Sequence, residues 1–188
     1  MFIKFGLKSV SMDDISRALG ISKKTLYKYF KNKPELVDKV LMAFIEQDRR
    51  NILNLKDKAH DAIDEMLLIA KYFIELMSRL SETTVYDLRK YYPALWTKLE
   101  TLNEEFIWGH ILKNIRRGQE EGYYRIDINP VIISRFFASN SLVVSKMIGQ
   151  KIENIPDQVW VVENVKYHIR GIASEKGKEK LIAYTNAT

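Results

Sequence analysis

Residues 11–37, SMDDISRALGISKKTLYKYFKNKPELV, contain three helix-start signals separated by two short connections. Ser11 precedes Asp14 by three residues, which is a variant of the capping box, so we predict that a helix begins at Met12. Gly20 supplies the left-handed residue that commonly ends a helix. The stretch therefore opens with a short helix and a tight turn.

The second start signal lies directly after that turn. Ser22 can cap a helix over residues 23–30, in which Leu26 and Phe30 are spaced i and i+4 and anchor it inward. Two short helices joined across about three residues form a helix-turn-helix, whose second helix enters the major groove of DNA.

The rest of the chain has helical periodicity nearly throughout, and we find no segment of useful length with strand periodicity. Asn32, with Glu35 three residues later, starts a third helix, and Pro34 suits its first turn. Further helices are predicted over residues 32–55, 59–80, 85–91, 94–121, 130–149 and 156–172, with no assignment for the charged tail from Ser174. The predicted fold class is all-α.

Positive charge is concentrated at the start of the chain. Residues 1–40 hold nine basic and four acidic residues, and so carry nearly all of the net charge of +6. Such an asymmetry is typical of a chain whose one end meets a polyanion. Lysine, threonine and tyrosine side chains on residues 23–30 can contact base edges and phosphates. The alternative is a solvated charged face on a helical hairpin.

Residues 9–37, SVSMDDISRALGISKKTLYKYFKNKPELV, resemble the DNA-binding signature of the TetR family of transcriptional regulators. The resemblance implies a homodimer in which residues 1–50 form a helix-turn-helix DNA-binding domain that includes the start of the connecting helix. Residues 51–188 would form a helical ligand-binding and dimerisation domain. Family members carry a full first helix, of which this sequence has only residues 1–5, so we expect further residues upstream.

The resemblance also implies which side chains meet DNA. Asp13 is an acid at a position where some members place a cation, so no base contact is carried over to it. The residues expected at bases or phosphates are Ser11, Lys23, Lys24, Thr25, Tyr27, Lys28, Tyr29 and Lys33.

Two further surfaces are predicted in the rest of the chain. Aromatic and flexible apolar side chains suit a ligand pocket, although such residues at helical spacing usually belong to a core. The candidates for this pocket are Tyr72, Phe73, Met77, Tyr92, Trp96, Phe106, Trp108 and His110. The last two predicted helices resemble the family's dimerisation pair, the alternative being that both faces are buried within one subunit. The candidates for this interface are Ile133, Phe136, Phe137, Val143, Val162, Val165 and Ile169.

The sequence gives little support to an enzyme. His60, His110 and His168 lack metal-ligand spacing, and no Gly-rich phosphate loop or nucleophile elbow is present, so we predict no cofactor and no metal. No export signal is visible, and the longest uncharged run of the C-terminal half, residues 136–145, cannot span a bilayer.

We therefore expect a cytoplasmic, ligand-responsive regulator of transcription. It would be a repressor that binds a near-palindromic operator in double-stranded DNA as a dimer and is released by a small molecule. The alternative is a small-molecule-binding or interaction module whose DNA reader is degenerate.

Overall fold

A computed structural model describes residues 1–79, 81–147 and 152–186, and within these ranges it contains helices and no β-strand. The all-α prediction is confirmed. The helices are α1 (Phe2–Phe5), α2 (Met12–Ala18), α3 (Lys23–Tyr29), α4 (Lys33–Lys58), α5 (Ala62–Arg79), α6 (Glu82–Tyr91), α7 (Pro93–Glu120), α8 (Pro130–Met147), α9 (Asp157–Ile172) and α10 (Glu175–Asn186), with a 3₁₀ turn at Ile152–Asn154.

The predicted helix starts of the first forty residues are confirmed by their caps. The Ser11 side chain accepts a hydrogen bond from Asp14 N and forms a complete capping box at the start of α2. Gly20 has a φ of 66° and lies in the turn between α2 and α3, as its role in ending α2 requires.

Three helix starts differ from the prediction because side-chain caps decide them. Helix α6 begins at Glu82 and not at residue 85, because Ser81 Oγ accepts a hydrogen bond from Thr84 N at 3.1 Å. Helix α5 begins at Ala62 and not at residue 59, because the Asp61 carboxylate accepts hydrogen bonds from Ile63 N and Asp64 N. Helix α10 was not predicted; Ser174 Oγ accepts from Gly177 N and starts it. The predicted ends at residues 80 and 149 lie outside the described residues.

The chain divides into two compact units. Unit 1 consists of residues 1–50 and 76–99, and unit 2 consists of residues 51–75 and 100–188. The first segment of unit 1 ends at residue 50, the same position as the predicted domain boundary. Unit 1 also contains residues 76–99, which the prediction assigned to the second domain. The division into a DNA-binding and a ligand-binding domain stays a prediction.

Unit 1 has one apolar core, and helix α6 helps to close it. Leu88 of α6 and Leu99 are buried together with side chains of the first forty-one residues. Thr84 Oγ1 also donates to Phe2 O at 2.8 Å, so polar contacts fasten the same helix to α1. These contacts explain why residues 76–99 pack with the N-terminal helices. The other buried core residues are Phe2, Leu7, Val10, Met12, Ile15, Leu26, Leu36, Val37 and Leu41.

Unit 2 buries polar groups as well as apolar ones. Helices α8 and α9 pack against each other, and α10 is joined to the start of α5 by a hydrogen bond of 2.8 Å from the Tyr184 hydroxyl to Asp61 Oδ2. In α7, Gly118 leaves room for the Tyr124 ring, because a Cβ there would lie 2.1 Å from Tyr124 Cδ2. The Tyr124 hydroxyl lies 3.2 Å from Asn114 Oδ1.

No helix within residues 1–79, 81–147 and 152–186 has the length and apolar character needed to cross a membrane. In the same ranges, no three histidine or carboxylate side chains come together as metal ligands would.

Candidate nucleic-acid interface

Helix α3 is the centre of the candidate interface, and its position is fixed at both ends. Ser22 Oγ accepts from Thr25 N at 3.0 Å and also lies 2.8 Å from Thr25 Oγ1, which caps the first turn. Leu26 is 2% exposed within the core of unit 1, and Phe30 packs against that core after the last turn. The helix is therefore held from its buried side, and its opposite face is presented to solvent.

That exposed face carries cations and phenol groups. Lys24 and Lys28 are exposed and form no ion pair with any residue of the described ranges. Tyr29 is 73% exposed and Tyr27 is 42% exposed, so their hydroxyl groups are available for hydrogen bonds. Thr25 is half-buried, and its hydroxyl already contacts the cap.

Lys23 differs from the other lysines of α3. Its ammonium lies 2.8 Å from the carboxylate of Asp13 in α2, and both side chains are more than half exposed. The hydrogen bond to Asp13 raises the pKa of Lys23, so the lysine is fully charged, but part of its field is compensated. The sequence identified Asp13 as an unexpected acid, and it did not reveal this partner.

Ser11 has a hydroxyl that is shared between two roles. It accepts from Asp14 N at 3.1 Å and lies 2.6 Å from Asp14 Oδ2, to which it donates. Hydrogen bonds from the Ser11 side chain and backbone lower the pKa of Asp14. Ser11 is exposed at the start of α2, so its predicted phosphate contact is sterically open, although its proton serves the capping box.

Lys33 is the first residue of α4, at the end of the helix where the dipole is positive and favours an anion. Its ammonium donates to Lys8 O at 3.1 Å. Burial lowers the pKa of Lys33, while the nearby charges of Asp87 and Asp14 act in the opposite direction. The start of α4 is capped by Asn32 Oδ1, which accepts from Glu35 N at 3.0 Å.

All eight residues predicted to contact DNA therefore belong to unit 1. They lie at the start of α2, on the exposed face of α3 and at the start of α4. Their contacts with DNA stay a prediction. The sequence missed Lys8 and Asp87, which touch this site from the connection after α1 and from α6. No local pattern could have found them, because Asp87 is 79 residues from Lys8 along the chain.

The seven predicted interface residues of α8 and α9 divide into two groups. Phe136 is 67% exposed and Val143 is 49% exposed, while Ile133 and Val162 are half-buried. The other three are buried within the subunit and leave little surface for a partner. These buried residues are Phe137, Val165 and Ile169.

A groove of about 280 Å³ lies along the same helix pair, and sequence reasoning missed most of its lining. Trp160 and Tyr167 are seven residues apart on α9, so they lie on one face of the helix, and Tyr167 is 78% exposed. That spacing is the signal that could have identified them.

The eight predicted pocket residues do not form one group. Met77, Tyr92 and Trp96 belong to unit 1, where Tyr92 and Trp96 pack partly buried against its core. The other five belong to unit 2. None of the eight lines the groove on α8 and α9, nor a second cavity of about 470 Å³ beside Met1 and Val10. The pocket stays a prediction.

Within unit 2, Tyr72 and Trp108 each have an identified neighbour. The Tyr72 hydroxyl accepts from Asn51 Nδ2 at 3.0 Å, and Phe73 is half-buried beside it in sequence. The Arg135 guanidinium lies 3.6 Å from the centre of the Trp108 ring, a cation–π contact.

His110 belongs to a buried charge cluster in unit 2. Its Nε2 lies 2.9 Å from Glu65 Oε1, and Arg117 Nη1 lies 3.2 Å from Glu65 Oε2. Phe106 stacks on the His110 ring at 6.1 Å. Burial by itself would raise the pKa of Glu65, but His110, Asn114 and Arg117 outweigh it, and the pKa is lowered. Because the charge of Glu65 is compensated by buried partners, we assign this cluster a role in the structure of unit 2 and not in ligand binding.

Comparison with known proteins agrees with this geometry. Residues 1–40 match the sequence profile of bacterial regulatory proteins of the tetR family. The uncharacterised helix-turn-helix-type transcriptional regulator YvaF of Bacillus subtilis (strain 168) is 32% identical over 130 residues, 65% of this chain and 64% of that protein. The helix-turn-helix-type transcriptional repressor KstR2 of Mycolicibacterium smegmatis (strain ATCC 700084 / mc(2)155) is 28% identical over 149 residues, 76% of this chain and 71% of that one.

A solved structure shows the same fold. The structure of the SmeT–triclosan complex aligns with a TM-score of 0.68 at 18% identity, covering 93% of this chain and 87% of that one. A capped helix-turn-helix in an all-α chain defines a class of helical DNA-binding regulators, which are not enzymes. The match of residues 1–40 and these relatives support the TetR family for this chain. The alignment spans just under two thirds of YvaF, so the activity and the partners of the present protein are the subject of a proposal.

Proposed function

We propose that this protein is a regulator of transcription that binds duplex DNA through α3 and the starts of α2 and α4. The observation that carries the proposal is the exposed face of α3, where Lys24, Lys28 and Tyr29 stand on a helix that Ser22 caps and Leu26 anchors. Lysine can donate to guanine O6 and N7 or to a phosphate, and a tyrosine hydroxyl can hold a phosphate. The proposal includes a cytoplasmic location, which the similarity to DNA-binding regulators of bacteria supports.

The proposed active form is a homodimer. Its support is the apolar surface of α8 and α9, on which Phe136, Val143 and Tyr167 are exposed. A two-fold axis would pair this surface with its copy, and Phe137, Val165 and Ile169 would support it from beneath. A symmetric dimer presents two copies of α3 about 34 Å apart to successive major grooves. The operator is then a near-palindrome.

The proposed mode of control is repression that a small molecule relieves. The KstR2 relatives are repressors by name, and the SmeT structure contains triclosan. A ligand lowers the affinity for DNA only if it binds better to a conformation that does not fit the operator. The aromatic residues predicted for the pocket are the first candidates for its lining, and the ligand's chemistry is left open.

The proposal is tested by selection from a random pool of DNA duplexes, followed by affinity measurements on the enriched site at several salt concentrations. We expect an enriched near-palindrome and a steep loss of affinity with salt, because each neutralised phosphate releases counterions. Lys28→Ala should weaken binding and reduce the salt slope. Lys56→Ala, which removes an exposed lysine from the last turn of α4, is the matched control and should leave both unchanged.

A failure of the selection, together with a flat salt response, would contradict the proposal. It would favour the alternative of a binding module whose DNA reader is degenerate. An inducer, once found, should lower the affinity for the enriched duplex, and a bound ligand that leaves this affinity unchanged would contradict the proposed mode of control.

A further inference from the structure

A buried carboxylate of α6 holds the connection between α1 and α2. Asp87 is 4% exposed, and its Oδ2 accepts a hydrogen bond of 2.7 Å from Lys8 N. Lys8 itself is an exposed residue of that connection. Asp87 therefore uses its charge on the main chain of Lys8 and not on the ammonium.

The carbonyl group of Lys8 is joined to the candidate DNA interface. Lys33 Nζ donates to Lys8 O at 3.1 Å. Lys8 is thus bonded through its N–H to α6 and through its C=O to the first side chain of α4. An ammonium has three donors, so the contact with Lys8 leaves two of them for a phosphate at the start of α4.

The connection has little freedom to move away from α6. Gly6 has a φ of 86°, and a Cβ at Gly6 would lie 2.8 Å from Thr83 Cγ2 and 3.0 Å from Asp87 Oδ2. Leu7 is completely buried in the core of unit 1. Gly6, two residues before Lys8, is therefore held by its close approach to side chains of α6, and Leu7, directly before Lys8, is held by burial.

We propose that Asp87 is a positioning residue for DNA binding, which fixes the main chain of Lys8 and thereby holds the Lys33 ammonium toward the phosphate at the start of α4. This inference rests on the proposed DNA-binding function and names a residue of α6 as a control point of that site. Any event that separates α6 from Lys8 would weaken the Lys33 contact without touching the recognition helix.

The sign of the effect separates positioning from simple electrostatics. Asp87 carries a negative charge near Lys33, so removal of the charge alone should strengthen the attraction of the site for DNA. Loss of the hydrogen bond to Lys8 should weaken it. Asp87→Asn keeps an acceptor oxygen and loses the charge, whereas Asp87→Ala loses both.

Affinity for the enriched duplex is measured at several salt concentrations for Asp87→Ala, Asp87→Asn and Thr84→Ala. Thr84 is the matched control, because it is equally buried in the same helix and bonds to Phe2 O in place of Lys8. We expect Asp87→Ala to lower the affinity and to reduce the salt slope by about 0.9 per subunit, the value for one lost phosphate contact. Asp87→Asn and Thr84→Ala should keep the wild-type slope.

The same substitutions are repeated in the Lys33→Ala background. If Asp87 acts through Lys33, Asp87→Ala has no further effect there. An equal loss in both backgrounds, or an equal change of slope in Thr84→Ala, would overturn the proposal and leave Asp87 with a structural role only.

A measurement without DNA keeps this inference separate from the proposed function. NMR relaxation of the Lys33 Cε–Hε group in the free protein should show a more mobile side chain in Asp87→Ala than in wild type or in Thr84→Ala. Unchanged mobility would contradict the positioning role. If mobility rises but the wild-type protein selects no duplex, the positioning contact stands and the DNA-binding function fails.

Discussion

The ammonium of Lys23, the first residue of α3, lies 2.8 Å from the carboxylate of Asp13 in α2. The two helices of the candidate reader are therefore linked by charge at the surface that should meet DNA. Lys24 and Lys28 have no such partner within the described ranges. Asp13 thus lowers the attraction of this surface for a polyanion and does so at one lysine only.

Replacement of Asp13 by asparagine should strengthen DNA binding. The change removes a negative charge from the interface and frees Lys23 for a phosphate, so we expect a higher affinity and a salt slope steeper by about 0.9 per subunit. Asp127→Asn, in an exposed loop position that pairs with Arg125, removes the same charge in unit 2 and is the control. A decrease in affinity for Asp13→Asn would mean that Asp13 itself contacts a base.

The two glycines of α7 should respond to alanine in opposite directions. Gly118→Ala would place a Cβ 2.1 Å from the Tyr124 ring, so we expect a loss of at least about 2 kcal/mol in the free energy of unfolding. Gly109 has no atom within 4 Å of its virtual Cβ, and Gly109→Ala should raise stability by about 0.5–1 kcal/mol. Urea denaturation of both variants measures the difference, and equal effects would contradict the packing of Tyr124.

His168 should make the stability depend on pH. Its ring lies 4.4 Å from the Phe137 ring, and burial lowers its pKa from the usual 6.5 to about 4. Between these values the unfolded chain binds a proton that the folded protein does not, so stability falls as the pH decreases through this window. The full effect is about 3 kcal/mol, since one pKa unit corresponds to about 1.4 kcal/mol.

Urea denaturation between pH 6.5 and 5 measures this slope before most carboxylates bind protons. His168→Phe keeps an aromatic ring beside Phe137 and should remove the slope. His60→Gln changes a histidine whose side chain is 83% exposed and is the control. A slope that persists in His168→Phe would assign the pH dependence to other groups.

A charge on the exposed face of α8 should break the proposed dimer. Phe136 is 67% exposed in the single chain, and an aspartate there would have to be buried on association without a partner. We expect the unaltered protein to sediment as a dimer at micromolar concentration and Phe136→Asp to sediment as a monomer. Ile126→Asp, at an apolar position that is 87% exposed outside the helices, should remain dimeric. A dimer that survives Phe136→Asp would place the interface elsewhere.

Local chemistry explains which parts of this fold could be predicted. The helix starts at Met12, Lys23 and Lys33 depend on side chains within four residues, and the sequence pattern located all three. Helix α10 was not predicted, because its capping residue, Ser174, precedes the charged run EKGKEK, which has no clear apolar stripe. Propensity alone gave no reason to prefer a helix there.

The candidate site divides in the same way. The exposed face of α3 follows from the burial of Leu26, so its lysines and tyrosines could be assigned from helical spacing. The contacts of Asp13 and Asp87 could not be predicted from helical spacing. The contact of Asp13 depends on how α2 packs beside α3, and that of Asp87 depends on how α6 packs on the connection after α1. Likewise, helical spacing alone did not show that Phe137, Val165 and Ile169 are buried within the subunit.

The hydrogen bond from Tyr184 to Asp61 joins residues 123 positions apart, and Asp61 is 4% exposed. A ribosome completes all residues of unit 1 at position 99, but it delivers the partner of Asp61 much later. Counted over the 123 residues from Asp61 to Tyr184, the delay at about 5–20 residues per second is roughly 6–25 s. During that interval the start of α5 carries a carboxylate that must stay in water, so the second unit finishes folding only after synthesis has passed Tyr184.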